Sequence, residues 1–205
     1  MPPNSTRRHR RPRSQARLHV QEHGFGCDLQ TACTADLRKL AWADVGPARD
    51  SGSVTLKHAL FDGAVTIRPS SADDIAALVA GRDDVFHRFL GEGSPDPRPT
   101  ACVVVDDVVV GWVDYDRDRT WLEPDEVNVG YNVFAPYRGN GYATRAVQLL
   151  LRHLAVDTEW RTATLLIDPA NDRSLALAAR AGFARCGDLD GNPYWKQPVA
   201  PFGDV

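Results

Sequence analysis

From Ala64 onward the hydrophobic and polar positions fall into regular patterns. Val65, Thr66 and Ile67 predict a first strand that ends at Pro69. Ser70 or Ser71, with Asp73 or Asp74 three residues on, resembles a capping box and opens a helix that turns Ile75, Leu78 and Val79 inward. Phe86, Phe89 and Leu90 fit a second short helix. Thr100–Val105 and Val108–Tyr115 are separated only by Asp106 and Asp107, the spacing of a β-hairpin with a two-residue turn. Over Glu126–Phe134 the period is two: Val127, Val129, Tyr131 and Val133 point one way, and Glu126, Asn128, Gly130 and Asn132 the other. That strand has one core face and one polar face.

After Gly141 the period becomes helical, with Ala143, Ala146, Val147, Leu150, Leu151 and Leu154 along one stripe. Thr162–Ile167 reads as a buried strand. Ala170–Ala181 reads as a small-residue helix closed by Gly182, and Tyr194–Gln197 as a last short strand. The predicted order is β-α-α-β-β-β-α-β-α-β, which implies an α/β or α+β fold built on a single layer of sheet.

Upstream the pattern fades. Residues 1–20 are rich in Arg, Pro and Ser without periodicity and are expected to be a disordered arm. Residues 21–63 read as an extension and linker, with a short helix over Ala35–Trp42, and 199–205 as a tail. The net charge of −3 over 205 residues conceals an asymmetry. Arg7, Arg8, Arg10, Arg11, Arg13 and Arg17 make the arm +6, and the remainder carries 18 bases against 27 acids. The longest apolar runs are broken at Asp106 and Asp107, far short of the roughly 20 residues a membrane-spanning helix needs. Cys27, Cys33, Cys102 and Cys186 show no zinc-like spacing, and no apolar segment of a signal peptide follows Arg17. A cytoplasmic protein with reduced thiols is expected. His19, His23 and Cys27 are spaced by four, but Gly24 and Gly26 oppose a helix there, so no metal site is expected.

The chemistry concentrates where the polar-faced strand runs into Arg138-Gly139-Asn140-Gly141 and then the amphipathic helix. Glycines let a ligand approach the backbone, and the unpaired N–H groups of a first helical turn sit at the positive end of the helix dipole. That combination suits a phosphate; a tight strand-to-helix connection is the alternative. A P-loop is excluded because no lysine lies nearby, and a dinucleotide fingerprint lacks its third glycine at Thr144.

Arg138-x-x-Gly141-x-Ala143 resembles the pyrophosphate loop of the GNAT superfamily of acyl-CoA-dependent N-acetyltransferases, and its flanks are similar to the Rim-type branch that acetylates ribosomal-protein N-termini. Asp168-Pro169-Ala170-Asn171-Asp172-Arg173-Ser174, followed by Ala181-Gly182-Phe183, is similar to that branch's second motif. The resemblance covers residues 64–198. It implies a mixed, mostly antiparallel central sheet flanked by helices, in a single domain with an N-terminal extension. It also implies acetyl-CoA as co-substrate, lying between the Glu126–Phe134 and Thr162–Ile167 strands. Backbone at Val133 and Phe134 would hold the pantetheine arm, with Asn171. N–H groups over Arg138, Gly139, Asn140, Gly141, Tyr142, Ala143 and Thr144 would meet the pyrophosphate.

Amide formation from a thioester needs an amine acceptor freed of its proton, a polarised carbonyl and a protonated or stabilised thiolate. The family's strand glutamate aligns with Asn128, an amide that takes no proton at neutral pH. Glu126, two residues away on the same face, is the candidate base acting through water; its alternative is an exposed strand carboxylate. Asp114 and Glu92 are weaker candidates. Ser174 matches the branch's serine and is the candidate donor to sulfur, because Ala178 stands where many members carry a tyrosine. Three functions follow: an acetyl-CoA-dependent N-acetyltransferase acting on a primary amine of a peptide N-terminus or small molecule, a non-catalytic acyl-CoA-binding module, or nucleic-acid or ribosome contact through residues 7–17. A monomer and a homodimer are equally compatible with the chain.

Overall fold

A computed structural model of the chain describes residues 56–199. The basic arm, the expected Ala35–Trp42 helix and the His19, His23 and Cys27 spacing lie outside those residues.

Strands β1 (Leu60–Phe61), β2 (Thr66–Pro69), β3 (Ala101–Val105), β4 (Val108–Asp116), β5 (Glu126–Val133), β6 (Thr162–Leu166), β7 (Ala184–Leu189) and β8 (Asn192–Pro198) form one sheet. Its order is β1-β2-β3-β4-β5-β6-β8-β7. Every neighbouring pair is antiparallel except β5 and β6. The helices are α1 (Ile75–Ala80), α2 (Asp84–Leu90), α3 (Tyr142–Asp157) and α4 (Asp172–Ala181). None of the described helices is long and apolar enough to cross a membrane.

Local chemistry accounts for the element ends. Asp106 and Asp107 both have positive φ, 48° and 63°, as a two-residue hairpin turn between right-twisted strands requires. The Asp74 carboxylate accepts from the Ser71 N–H at 2.8 Å and from its hydroxyl at 2.9 Å, starting the turn that becomes α1. Of the three side chains expected inward, Leu78 is buried. Val79 is 39% exposed, because a six-residue helix turns only a narrow stripe to the sheet. Gly182 closes α4 in the left-handed region, with its N–H bonded to the Ala178 and Ala179 carbonyls.

The sheet is covered on both faces. On one, Ala146, Val147, Leu150 and Leu154 of α3 and Leu177 and Ala178 of α4 share a core with Val113, Val127 and Val129. On the other, Leu78 of α1 packs with Cys102 and Phe134, and Trp112 lies against that cluster. Gly81 permits this contact, because a Cβ there would lie 2.3 Å from the Phe134 ring. All of β5 except Tyr131 is consequently buried, including Glu126, Asn128 and Asn132. The polar face expected from alternation is real in composition, but it is closed over.

The folded body also reaches beyond the expected limits. Leu56 belongs to the core, β1 pairs with β2, and Asp62 accepts from the Ala64 and Val65 N–H groups while pairing with Arg145 at 2.9 Å. At the other end Val199 is buried and its N–H reaches the Arg161 carbonyl at 2.7 Å. The body therefore begins no later than Leu56, upstream of the expected boundary at Ala64.

Candidate active site

Only three residue pairs join β5 to β6: Glu126 with Thr162, Val127 with Ala163 and Asn128 with Thr164. Beyond them β5 runs on to Val133 and β6 to Leu166 without pairing. The Phe134 N–H is given to Val110 on β4 at 2.8 Å, so the alternation of a strand turns the peptide groups of Val129, Tyr131 and Val133 toward the gap. The gap opens into a cleft of about 990 Å³. Its walls are β5 from Asn128 to Val133, the end of β6, the loop into α3, the start of α4, and Val85, Phe86, Phe89 and Leu90 of α2.

Gly139 and Gly141 turn the loop with φ of 85° and 77°. A side chain at either would meet nothing within 4 Å, so the left-handed backbone demands glycine, and crowding does not. Helix α3 then begins with no side-chain cap, which leaves the N–H groups of its first turn free at the positive end of a 16-residue helix. Gly139, Gly141, Tyr142, Ala143 and Thr144 all line the cleft. Asn140 does not, and its amide instead braces the loop by donating to the Tyr137 carbonyl at 3.1 Å.

Arg138 lines the cleft but is heavily engaged. Its Nε donates to the Val133 carbonyl at 2.7 Å, and its guanidinium grips Asp83 at 2.6 and 2.9 Å. Asp83 also caps α2 by accepting from the Phe86 N–H at 3.0 Å. The Arg138 bonds, foremost among the causes, hold the Asp83 carboxyl down at about 2 against the opposing effect of burial. Arg138 thus ties the cleft wall made by α2 to the end of β5. Phe134 takes no part in the lining, and its N–H and carbonyl are taken by Val110 and Tyr137.

Across the cleft, Asn171 caps α4 by accepting from the Ser174 N–H at 3.2 Å, and both residues line the wall. Ser174 makes no hydrogen bond from its hydroxyl to its own helix, the alternative that the sequence left open. Beside it stands Tyr131, whose Oη is shielded from solvent and lies near enough to the Ser174 hydroxyl for the two to interact.

The polar face of β5 brings a correction. Glu126 is 4% exposed and does not line the cleft. Its carboxylate is 2.5 Å from Lys196 Nζ, accepts from Tyr194 Oη at 2.9 Å and from the Glu123 N–H at 3.2 Å. Burial first, and then the Glu126 bond, push the Tyr194 phenol far above its usual range, so it stays a donor. Glu126 is neither the exposed carboxylate nor a group facing the gap, because a buried charge must be paired where it stands. Asn128 does line the cleft. On the same sheet face Asp114, opposite Gly130, takes three hydrogen bonds on Oδ1: from the Thr100 N–H at 3.0 Å, the Thr100 hydroxyl at 2.6 Å and the Tyr115 N–H at 3.0 Å. No bond falls on Oδ2, and burial raises this carboxyl to about 6 despite those donors. Among the described residues no group of three or more His, Cys, Asp or Glu is placed to hold a metal ion.

Sequence reasoning passed over Asp83. An aspartate three residues before Phe86 is a readable helix cap, but its partner Arg138 lies 55 positions away. That Asn132 Nδ2 is buried without a hydrogen-bond partner is visible only in three dimensions.

Comparison with known proteins agrees with this geometry. Residues 83–184 match the family model described as an acetyltransferase (GNAT) domain. No curated protein matches the chain. Among solved structures, an acetyltransferase (GNAT family) from Bacillus anthracis is 18% identical, with a TM-score of 0.56 over 69% of this chain and 98% of that one. RimL, a ribosomal L7/L12 alpha-N-protein acetyltransferase in complex with coenzyme A, is 15% identical, with a TM-score of 0.55 over 68% and 97%. An aminoglycoside acetyltransferase in complex with coenzyme A is 20% identical, with a TM-score of 0.57 over 66% and 95%. At these identities the likeness to solved structures is one of fold.

Proposed function

Because this chain carries a GNAT acetyltransferase domain and is an acyltransferase, we propose that it moves the acetyl group of acetyl-CoA onto a primary amine by direct attack within a ternary complex. The observation that carries the reading is the splay of β5 from β6 next to an uncapped α3. An extended pantetheine arm can pair with the strand peptide groups that β6 leaves open, and the pyrophosphate can accept from the first turn of α3. Asn171 contributes an amide from the opposite wall.

The base we assign is Asp114 in place of Glu126. A general base needs a free oxygen and a pKa near the working pH. Asp114 does not itself line the cleft, but it offers Oδ2 and a carboxyl raised to about 6 on the sheet face that Asn128 and Gly130 share, and acts through a water beside them. Asn128 orients the acceptor there without taking a proton. RimL is named for a protein α-N group and the other enzyme for an aminoglycoside, so the acceptor panel spans both kinds.

The test follows free CoA after the protein is mixed with acetyl-CoA and an amine panel that includes peptides of varied N-terminus and small polyamines. Release of CoA dependent on one acceptor class supports the reading. No release with any acceptor, combined with no acetyl-CoA binding by calorimetry, overturns it.

A further inference from the structure

Helix α2 bears an apolar stripe that the protein's own interior does not use. Val85, Phe86, Phe89 and Leu90 follow one another at offsets of one, three and one, which places them on one face, while Asp84, His87 and Arg88 take the other. Among the described residues none of the four joins either apolar cluster of the sheet, and all four line the cleft. Phe86 is covered locally: the Arg82 guanidinium lies 5.3 Å from its ring centre, and a side chain at Gly93 would come within 3.1 Å of it. Val85 is 38% exposed, and Phe89 and Leu90 are half-buried. A lone exposed valine needs no explanation, but three apolar side chains on one helix face turned into a cavity mark a wall for an apolar ligand group.

Placement and charge say which group. Asn128 and Asn132 alternate with Val127 and Val129, which face α3 and α4, so they share the opposite face with Phe134, where Leu78 of α1 packs. Helix α2 follows α1 directly, and Arg138 holds its cap, Asp83, to the end of β5. The stripe therefore bounds the acceptor half of the cleft, on the side of Asn128, and α4 bounds the other. The acids that line the cleft, Asp168 and Asp172, stand at the start of α4, and Arg138 is neutralised by Asp83 at 2.6 Å. Among the described residues, the walls made by α2 and β5 present no charged side chain to the cleft. One ammonium is compatible with such walls, because it gives up its proton as the amide forms. A second, with no carboxylate to face, would be desolvated without a partner.

We propose that the acceptor is a monoamine with an apolar body, an aromatic or branched aliphatic group about two carbons from the nitrogen, seated on Val85, Phe89 and Leu90. The span from Val85 to Phe89 is one helical turn, about 6 Å, and takes one such group. A free arylalkylamine and the first residue of a peptide that opens with phenylalanine or leucine share this chemistry.

This assignment rests on the acetyl-transfer reading, so its test has a binding arm that needs no turnover. Calorimetry on the CoA-saturated protein would compare 2-phenylethylamine with ethanolamine, a short peptide opening with phenylalanine with its glycine-opening counterpart, and all four with spermidine. At least one apolar amine should bind about tenfold or more tightly than its polar counterpart and than spermidine, and the better of the two identifies the source as a free amine or a peptide. With acetyl-CoA, kcat/KM should rank the amines in the same order. Val85→Asp puts a carboxylate on the wall near a helix N-terminus, where an acid is tolerated. It should cut the apolar preference to less than about threefold and improve spermidine several-fold, with circular dichroism checking the fold. Equal ranking of the amines, spermidine at or above both apolar amines, or an apolar preference undiminished in Val85→Asp would overturn the proposal. So would tighter binding of hexanoyl-CoA than of acetyl-CoA that disappears in Val85→Asp, which would give the stripe to the acyl chain. Binding in the expected order without turnover of any amine upholds the ligand class of the wall and counts against the acetyl-transfer reading alone.

Discussion

Arg138 shows how one side chain in the glycine loop serves the architecture. Its three bonds, one to Val133 and two to Asp83, fasten the cap of α2 to the end of β5. Arg138→Ala should lower stability at neutral pH by roughly 2 kcal/mol, the usual value for hydrogen bonds between charged groups. The sign with pH follows from the depressed Asp83 carboxyl. Its contribution is present above the unfolded value near 4 and is lost as the pH falls through about 2, so the urea midpoints of variant and wild type should converge in acid. A gap at pH 2 as wide as at neutral pH would mean that the arginine stabilises through Val133 and packing rather than through Asp83.

Among the elements, β5 divides into a stretch built for stability and a stretch built for chemistry. At its start the carboxylate of Glu126 is locked by Lys196 and Tyr194, so Lys196→Met should leave a buried charge unpaired and cost about 3–5 kcal/mol in chemical denaturation. Opposite the later part of β5, Asp114→Asn can keep its bonds from Thr100 and Tyr115 through the amide oxygen. It should remain folded but lose about 10²-fold in kcat. The wild-type profile should fall below pH 6 as Asp114 takes up a proton, and this limb should be absent from whatever activity the variant retains. An unchanged profile would return the choice of base to Glu126 or to water.

The same elements show what a reader of the sequence can and cannot see. The hairpin was legible from Asp106 and Asp107, and α4 from Asn171 and Gly182, because turn and cap chemistry is local. Strand β7 was not, since Ala184–Leu189 is an edge strand whose side chains do not alternate and whose register shifts between Arg185 and Gly187. The glycine loop was readable as a motif. The burial of Glu126 was not, because it depends on Lys196 and Tyr194 from β8, and on Trp121 packed edge-on against Tyr194 at 5.4 Å.

At the scale of the whole molecule, charge and ligand oppose one another. The sequence past the basic arm carries more acids than bases, while the co-substrate is a polyanion and its proposed site offers it local backbone dipoles. A cationic acceptor draws on the long-range field, and the pyrophosphate draws on contacts at hydrogen-bond range. Raising ionic strength from 0.05 to 0.5 M, which shortens the Debye length about threefold, should therefore raise KM for the acceptor several-fold and change acetyl-CoA affinity much less. Equal salt dependence of the two would refute this division.

The three-pair seam between β5 and β6 has a mechanical corollary. Where the strands part, the backbone lacks a partner, so on the proposed placement of acetyl-CoA the substrate completes the sheet as a short temporary strand would. Binding and folding are then reciprocally linked: whatever loosens the seam weakens the grip on acetyl-CoA, and saturating ligand repays the fold by the same free energy.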